Sequence, residues 1–278
     1  MSRWRPTNAC TYVIPDIHGK YDCLRAICKR ILPLRDSDKI IFLGDYIDRG
    51  PDSAKVVEYV ITLVKKFGDR VIPLIGNHEW LMLAAIGEIA HNWEKDLPSP
   101  FAVWMQEGGR KTVESYAKTT SIDLSDTLSL PPERVSDLIS KHHIDFLKNE
   151  TYLYYETNDC IFVHGGCDPT QPLDPSWMET FIWDRSLFQM AKSFVSAGKE
   201  IPWDKTVICG HSSNGPWVNE KLMMLDCSAS KKLMVLELSS MEAFTVSPGN
   251  VRLERLDLKE GQNQVKTKIR KSTFRRVQ

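Results

Sequence analysis

The stretch YVIPDIHGKYD, Tyr12 to Asp22, begins as an apolar run and ends in an acid, one spacer and a histidine just before a glycine. The run Thr11 to Ile14 reads as a strand, aliphatic and strand-length. Asp16 and His18 are poor residues for a strand core and good ones for a metal. Downstream, Lys20 to Leu32 places Leu24, Ile27, Cys28 and Ile31 at helical spacing on one face. A strand, a polar turn and an amphipathic helix in that order open a β-α-β unit.

The same punctuation recurs along the chain. KIIFL, RVIPLI, CIFV, TVIC, LMMLD and LMVLEL are further strand-length apolar runs. Ser53 to Phe67 carries Val56, Val57, Val60, Ile61 and Val64 on one helical face, with Pro51-Asp52-Ser53 as its start signal. The β-α-β-α-β rhythm of the first third predicts an α/β fold. From residue 79 to about 150 the pattern is mainly helical, as in Val135, Leu138, Ile139 and Ile144, with a break near Pro98–Pro100. This region reads as an insert of residues 80–150 packed beside the sheet, forming a wall of the site. The second half returns to strands, and no internal repeat is visible.

Bulk properties bound the function. A chain of 278 residues is long enough for a substantial core. Its 36 basic and 36 acidic residues cancel, so the whole molecule has no bias towards nucleic acid or an anionic membrane. The balance is uneven along the chain. Beyond Glu260, Lys266, Lys268, Arg270, Lys271, Arg275 and Arg276 stand without an acid among them. Residues 259–278 therefore read as a basic, disordered tail on a body of residues 1–258, and are the one feature that offers nucleic acid a weak hold. Seven cysteines without a C-x-x-C point to reduced thiols. No run approaches the length of a membrane span and MSRWRPTNAC has no apolar signal core, so a cytoplasmic protein without membrane contact is expected.

The decisive pattern is what stands after the strands. Asp16-Ile17-His18-Gly19, Gly44-Asp45-Tyr46-Ile47-Asp48-Arg49-Gly50, Gly76-Asn77-His78-Glu79, His164-Gly165-Gly166 and Gly210-His211 follow five apolar runs in turn. Each is a set of polar, metal-ligand-type residues flanked by glycine, and the carboxyl ends of strands are where α/β folds build their sites. Any one of these has a bland reading: a turn, a hydrogen-bonded core histidine, a surface ion pair. Five in order at strand ends do not.

The ordered set GDYIDRG, GNHE and the flanking Asp-x-His, His-Gly and Gly-His motifs resembles the phosphoprotein phosphatase family of calcineurin-like metallophosphoesterases. FAVWMQEGGRKTVESY and FIWDRSLF resemble its compact bacterial and phage members, the lambda phosphatase type. The resemblance implies a central β-sandwich of mixed sheets flanked by helices and a site for two divalent ions. Asp16 and His18 would hold the first ion, Asp45 would bridge, and Asn77, His164 and His211 would hold the second. Mn²⁺ is the favoured metal, with Fe or Zn²⁺ as alternatives. His78 would be the general acid, oriented by Asp48, while Arg49, Arg185 and Asn77 would bind the substrate phosphate.

The activity implied is hydrolysis of phosphomonoesters in phosphoproteins or phosphorylated small molecules, phosphoserine and phosphothreonine first and phosphotyrosine next, by attack of a metal-activated hydroxide. Two alternatives stay open: a dinucleoside polyphosphate hydrolase of the diadenosine tetraphosphate type, and a phosphate-binding scaffold with weak catalysis. The resemblance favours the first activity over the tetraphosphatase through GNHE in place of GNHD. One departure stands out. Pro15 occupies the place of the family's usual glycine, which restricts the turn before Asp16.

Overall fold

The computed structural model describes residues 9–91, 98–120, 131–212, 216–228 and 231–258. The basic tail of residues 259–278 lies outside them. β1 (Thr11–Ile14), β2 (Lys39–Phe42) and β3 (Val71–Pro73) are joined by α1 (Tyr21–Ile31) and α2 (Ser53–Phe67) and pair in parallel. β9 (Leu233–Glu237), β10 (Glu242–Ser247) and β11 (Asn250–Leu256) extend this sheet antiparallel, giving the order β11-β10-β9-β1-β2-β3. A second sheet has the order β4-β5-β6-β8-β7, from β4 (Tyr154–Glu156), β5 (Cys160–Val163), β6 (Thr206–Cys209), β7 (Trp217–Val218) and β8 (Leu222–Met224).

The two sheets share an apolar layer, and strand periodicity shows why. Val13, Ile41, Phe162, Ile208 and Leu236 pack in one cluster, while their neighbours Ile14, Ile40, Ile161, Val207 and Val235 belong to another that includes the helices. Strands covered on both faces are apolar at every position, which is the reason these runs do not alternate with polar residues. The result is a mixed α/β sandwich flanked by helices, as the resemblance implies.

Between β3 and β4 the described residues are mainly helical: α3 (Asn77–Ala85), α4 (Pro100–Trp104), α5 (Arg110–Thr120), α6 (Pro132–Leu138) and α7 (Lys141–Asn149). A π-helical kink at Met105–Gly109 joins α4 to α5. The second half is less purely stranded than the sequence suggests, because α8 (Met178–Trp183) and α9 (Ser186–Ser196) interrupt it. Leu187 and Ala191 are the buried residues of α9, a stripe too narrow to signal a helix by periodicity. No helix among the described residues is long and apolar enough to cross a membrane.

Candidate active site

All five polar turns leave the carboxyl ends of parallel strands. Asp16 follows β1, Asp45 follows β2, Asn77 opens α3 after β3, His164 follows β5 and His211 follows β6. The first two turns are stitched by their backbones: Ile17 and His18 N–H donate to the Asp45 carbonyl at 2.9 and 2.8 Å, and Gly19 N–H to that of Tyr46 at 2.8 Å. Those donors lie downstream of Pro15, so its missing N–H costs none of these bonds. His18, Asp45, Asp48, Arg49 and His211 all have positive φ, between 46° and 69°. Among the described residues the other non-glycine cases, Lys231 and Met241, sit in turns. Left-handed backbone at non-glycine residues is costly and persists where its surroundings fix it.

Asp45 stands between two groups of side chains. Its Oδ2 lies 3.5 Å from His18 Nε2 and 3.8 Å from His78 Nε2, while its Oδ1 lies 3.3 Å from His164 Nε2. The atoms of His18, Asp45 and His78 that can ligate a metal fall within 4.8 Å of one another, as do those of Asp45, His164 and His211. Asp16 falls in neither group, although its carboxylate accepts the His211 backbone N–H at 3.0 and 3.1 Å and so ties β1 to β6.

The proton inventory of the histidines fits a cation. His18 Nδ1 donates to the Ile47 carbonyl at 2.8 Å and His164 Nδ1 to the Leu43 carbonyl at 2.8 Å, which leaves both Nε2 atoms as acceptors, that of His18 facing Arg49 Nη1. His164 Nε2 then faces Asn77 Oδ1 at 2.9 Å, one acceptor against another. His211 Nε2 is a buried atom with no hydrogen-bond partner. Burial first, then neighbouring positive groups, lowers the pKa of His164 to about 3 and of His211 to about 2. His18 is lowered too, for the same reasons. Neutral imidazoles with lone pairs turned on a buried carboxylate are a metal's donor set. Burial also raises Asp16 and Asp45, outweighing the nearby positive groups that pull them down.

His78 is built differently. Its Nδ1 donates to Asp48 Oδ2 at 2.7 Å, and its Nε2 meets Arg49 Nη2 at 3.0 Å. Burial alone would lower its pKa; the charges of Asp45 and Asp48 and the Asp48 hydrogen bond outweigh it and raise it to about 9. With Nδ1 committed to Asp48, Nε2 is the atom that can exchange a proton, and Arg49 Nη2, which can only donate, meets it in its unprotonated form. Arg49 also reaches His18 Nε2 at 2.9 Å. Arg185, between α8 and α9, donates to the His211 carbonyl at 3.1 Å. The structure thus brings Arg49 to one side of the site and Arg185 to the other.

Sequence reasoning missed the residues that hold these in place. Glu79 is fully buried and accepts four backbone N–H groups: Asp45 at 2.9 Å, Tyr46 at 2.8 Å, Ile47 at 3.2 Å and Gly76 at 3.0 Å. The signal was present, because Glu at the third position of a helix reaches back to its start. It anchors the Asp45 loop to the start of α3. Trp104 and Thr112 both touch the Asp48 carboxylate, and no local pattern marks them. Cys227 is buried, its thiol pushed up to about 12 by burial and then by Asp226, which removes it as a nucleophile.

The family model described as calcineurin-like phosphoesterase matches residues 11–228. A symmetrical bis(5'-nucleosyl)-tetraphosphatase of Salmonella paratyphi A is 38% identical over 90 residues, 32% of this chain and 30% of that protein. The equivalent of Salmonella arizonae matches with the same identity and extent. The chain therefore spans under a third of the length of these curated relatives. A Saccharomyces cerevisiae protein serine/threonine phosphatase is similar in fold, with a TM-score of 0.50, 13% identity, and 83% of this chain and 73% of that chain covered. A cold-active protein-tyrosine phosphatase of a Shewanella species gives a TM-score of 0.49 at 16% identity, covering 90% and 80%.

Proposed function

Because the chain belongs to the calcineurin-like phosphoesterase family, we propose that it hydrolyses phosphomonoesters with two divalent ions and His78 as general acid, acting on phosphoserine and phosphothreonine. The observation that supports it most directly is Asp45, whose two oxygens address separate groups of imidazole nitrogens. In this reading Asp16, His18 and Asp45 hold one ion, and Asp45, Asn77, His164 and His211 the other. Carboxylate, amide and imidazole together suit Mn²⁺, with Fe or Zn²⁺ next. When bound, the ions supply Lewis acidity to the phosphoryl oxygens and acidify a water.

The chain's own groups do the rest. Arg49 and Arg185 grip the phosphate from opposite sides with paired N–H donors. Asn77 directs its amide at the same place. Asp48 keeps the Nδ1 proton of His78, so that Nε2 presents its proton to the leaving oxygen. Residues 1–258 form the catalytic domain in this reading, and the helices of residues 80–150 are its insert.

A second reading, hydrolysis of a dinucleoside tetraphosphate, is favoured by the 38% identity to the bis(5'-nucleosyl)-tetraphosphatases, which is confined to 32% of the chain. One panel separates them. The Mn²⁺-loaded protein is assayed on phosphoserine, phosphothreonine and phosphotyrosine peptides beside diadenosine tetraphosphate. The expected result is highest kcat/KM on the first two and none after chelation. Turnover confined to the tetraphosphate replaces the first reading with the second. Bound metal without turnover of any substrate leaves only a phosphate-binding scaffold.

A further inference from the structure

The Asp48–His78 pair is held from outside its own loops. The Asp48 carboxylate has no solvent exposure, so each of its lone pairs must be answered within the protein. Oδ2 takes the His78 Nδ1 proton at 2.7 Å. Thr112 Oγ1 donates to Oδ1 at 2.6 Å, and Trp104 Nε1 lies 3.1 Å from both oxygens. Both extra donors belong to the helical insert, one on each side of the kink at Met105–Gly109.

Counting protons gives the network a direction. Thr112 has a single hydroxyl proton, and its 2.6 Å contact with a carboxylate oxygen spends it there. Ser53 Oγ, 3.0 Å away, is then the donor to Thr112. The Asp48 backbone N–H closes the ring on Thr112 Oγ1 at 2.9 Å and Ser53 Oγ at 3.2 Å. Serine at the start of α2 and threonine on α5 thus form one chain that ends on Asp48.

The insert also holds the backbone that carries the pair. Asp48 and Arg49 have φ of 69° and 62°, a conformation that needs outside support. Arg49 N–H donates to the Gly108 carbonyl at 3.3 Å. The kink can approach this closely because it is built of glycines. A Cβ on Gly108, itself at φ 114°, would stand 2.9 Å from Arg49 N, and one on Gly109 would stand 2.7 Å from the Trp104 ring. Side chains there would part the insert from the loop it supports.

We propose that Trp104 and Thr112 are positioning residues for the Asp48–His78 pair, so that the helical insert sets the aim of the leaving-group acid. This rests on the reading of His78 as that acid. Misplacing a catalytic group by an ångström costs up to about 10²-fold in rate. The loss should fall on kcat, and most on substrates whose leaving oxygen needs a proton.

The test uses the Mn²⁺-loaded enzyme with Thr112→Val, Thr112→Ser and Trp104→Phe, each alone and combined with His78→Asn. Rates are compared on phenyl phosphate, a poor leaving group, and 2,4-dinitrophenyl phosphate, a good one, with metal content measured throughout. Thr112→Val and Trp104→Phe should lower kcat on phenyl phosphate by roughly 10- to 10²-fold, with KM and metal content steady and a much smaller loss on the dinitrophenyl ester. Thr112→Ser, which keeps the hydroxyl, should recover most of the loss. In the His78→Asn background the same changes should cost less than about twofold, since the group they aim is gone.

Equal losses in both backgrounds, or metal lost in step with activity, overturn the proposal. So does failure of both Thr112→Val and Trp104→Phe to fold while His78→Asn folds, because the contacts are then structural first. Full activity in His78→Asn sinks the acid reading and this inference together. Impairment of His78→Asn with intact insert variants sinks this inference alone.

Discussion

The strand-end loops and the helical insert divide the site between them in unlike ways. The loops carry the candidate metal ligands, each within a few residues of the strand end that places it. The insert carries none, yet Trp104 and Thr112 meet Asp48 from 56 and 64 positions away. In the loops the backbone is left-handed at five polar residues, whereas the described residues of the insert are mainly helical, with a kink at Gly108. Chemistry placed by a sheet is compact and strained; the support that holds it true comes from packing at long range. Support of that kind can be altered without touching a reacting group.

The largest expected effects lie in the loops. Asp45→Asn should reduce turnover more than any other single change, because Asp45 faces both groups of histidines, and metal content per chain should fall with it. Activity preserved in that variant would end the two-ion reading. His78→Asn should lower kcat by roughly 10²–10⁴-fold with metal content unchanged. Metal lost in proportion would make His78 a ligand, as its place beside His18 and Asp45 permits.

Glu79 tests whether the loops can be loosened from below as well as from the insert. Glu79→Gln puts an amide where four backbone N–H groups converge, so one donor must face another. We expect a loss of about 1–3 kcal/mol in urea unfolding, with kcat falling as the Asp45 turn relaxes. Unchanged stability would show that these loops are held by the insert and sheet alone.

The smallest effect belongs to the insert. His143 on α7 joins Tyr116 Oη and Glu58 Oε2, both at 2.8 Å. Burial lowers its pKa below 6.5 although Glu58 pulls the other way. The unfolded chain therefore binds the proton more readily than the folded one. Stability should be full above pH 6.5 and decline as pH falls from there towards the folded pKa. Thermal melts from pH 7.5 to 5 should show such a slope, most of it from the more strongly lowered His18, His164 and His211, and His143→Gln should reduce it slightly. A slope unchanged by the substitution would show that His143 contributes nothing to it. Truncation after Leu258 should leave kcat on a small aryl phosphate unchanged, since every site residue precedes it.

What could be read in advance follows the range of the forces involved. Runs such as TYVI, KIIF, CIFV and TVIC announced β1, β2, β5 and β6 because strands buried on both faces must be apolar throughout. The hairpin of β10 and β11 did not, since β11 is largely exposed and its VRLERL is as polar as a surface loop. Arg185 was marked by its short motif, but its seat against the His211 carbonyl depends on α8 and α9, which periodicity did not reveal.

The sequence by itself marked the candidate ligands, for a local reason. A strand end, a glycine and a metal-ligand side chain are neighbours along the chain, so their chemistry is written contiguously. Tertiary structure alone decided which buried donors answer Asp48 and Glu79. A buried carboxylate must have partners, but any element that packs nearby can supply them. Trp104 and Thr112 look like ordinary core residues until the kink at Gly108 and Gly109 brings their helices onto the loop.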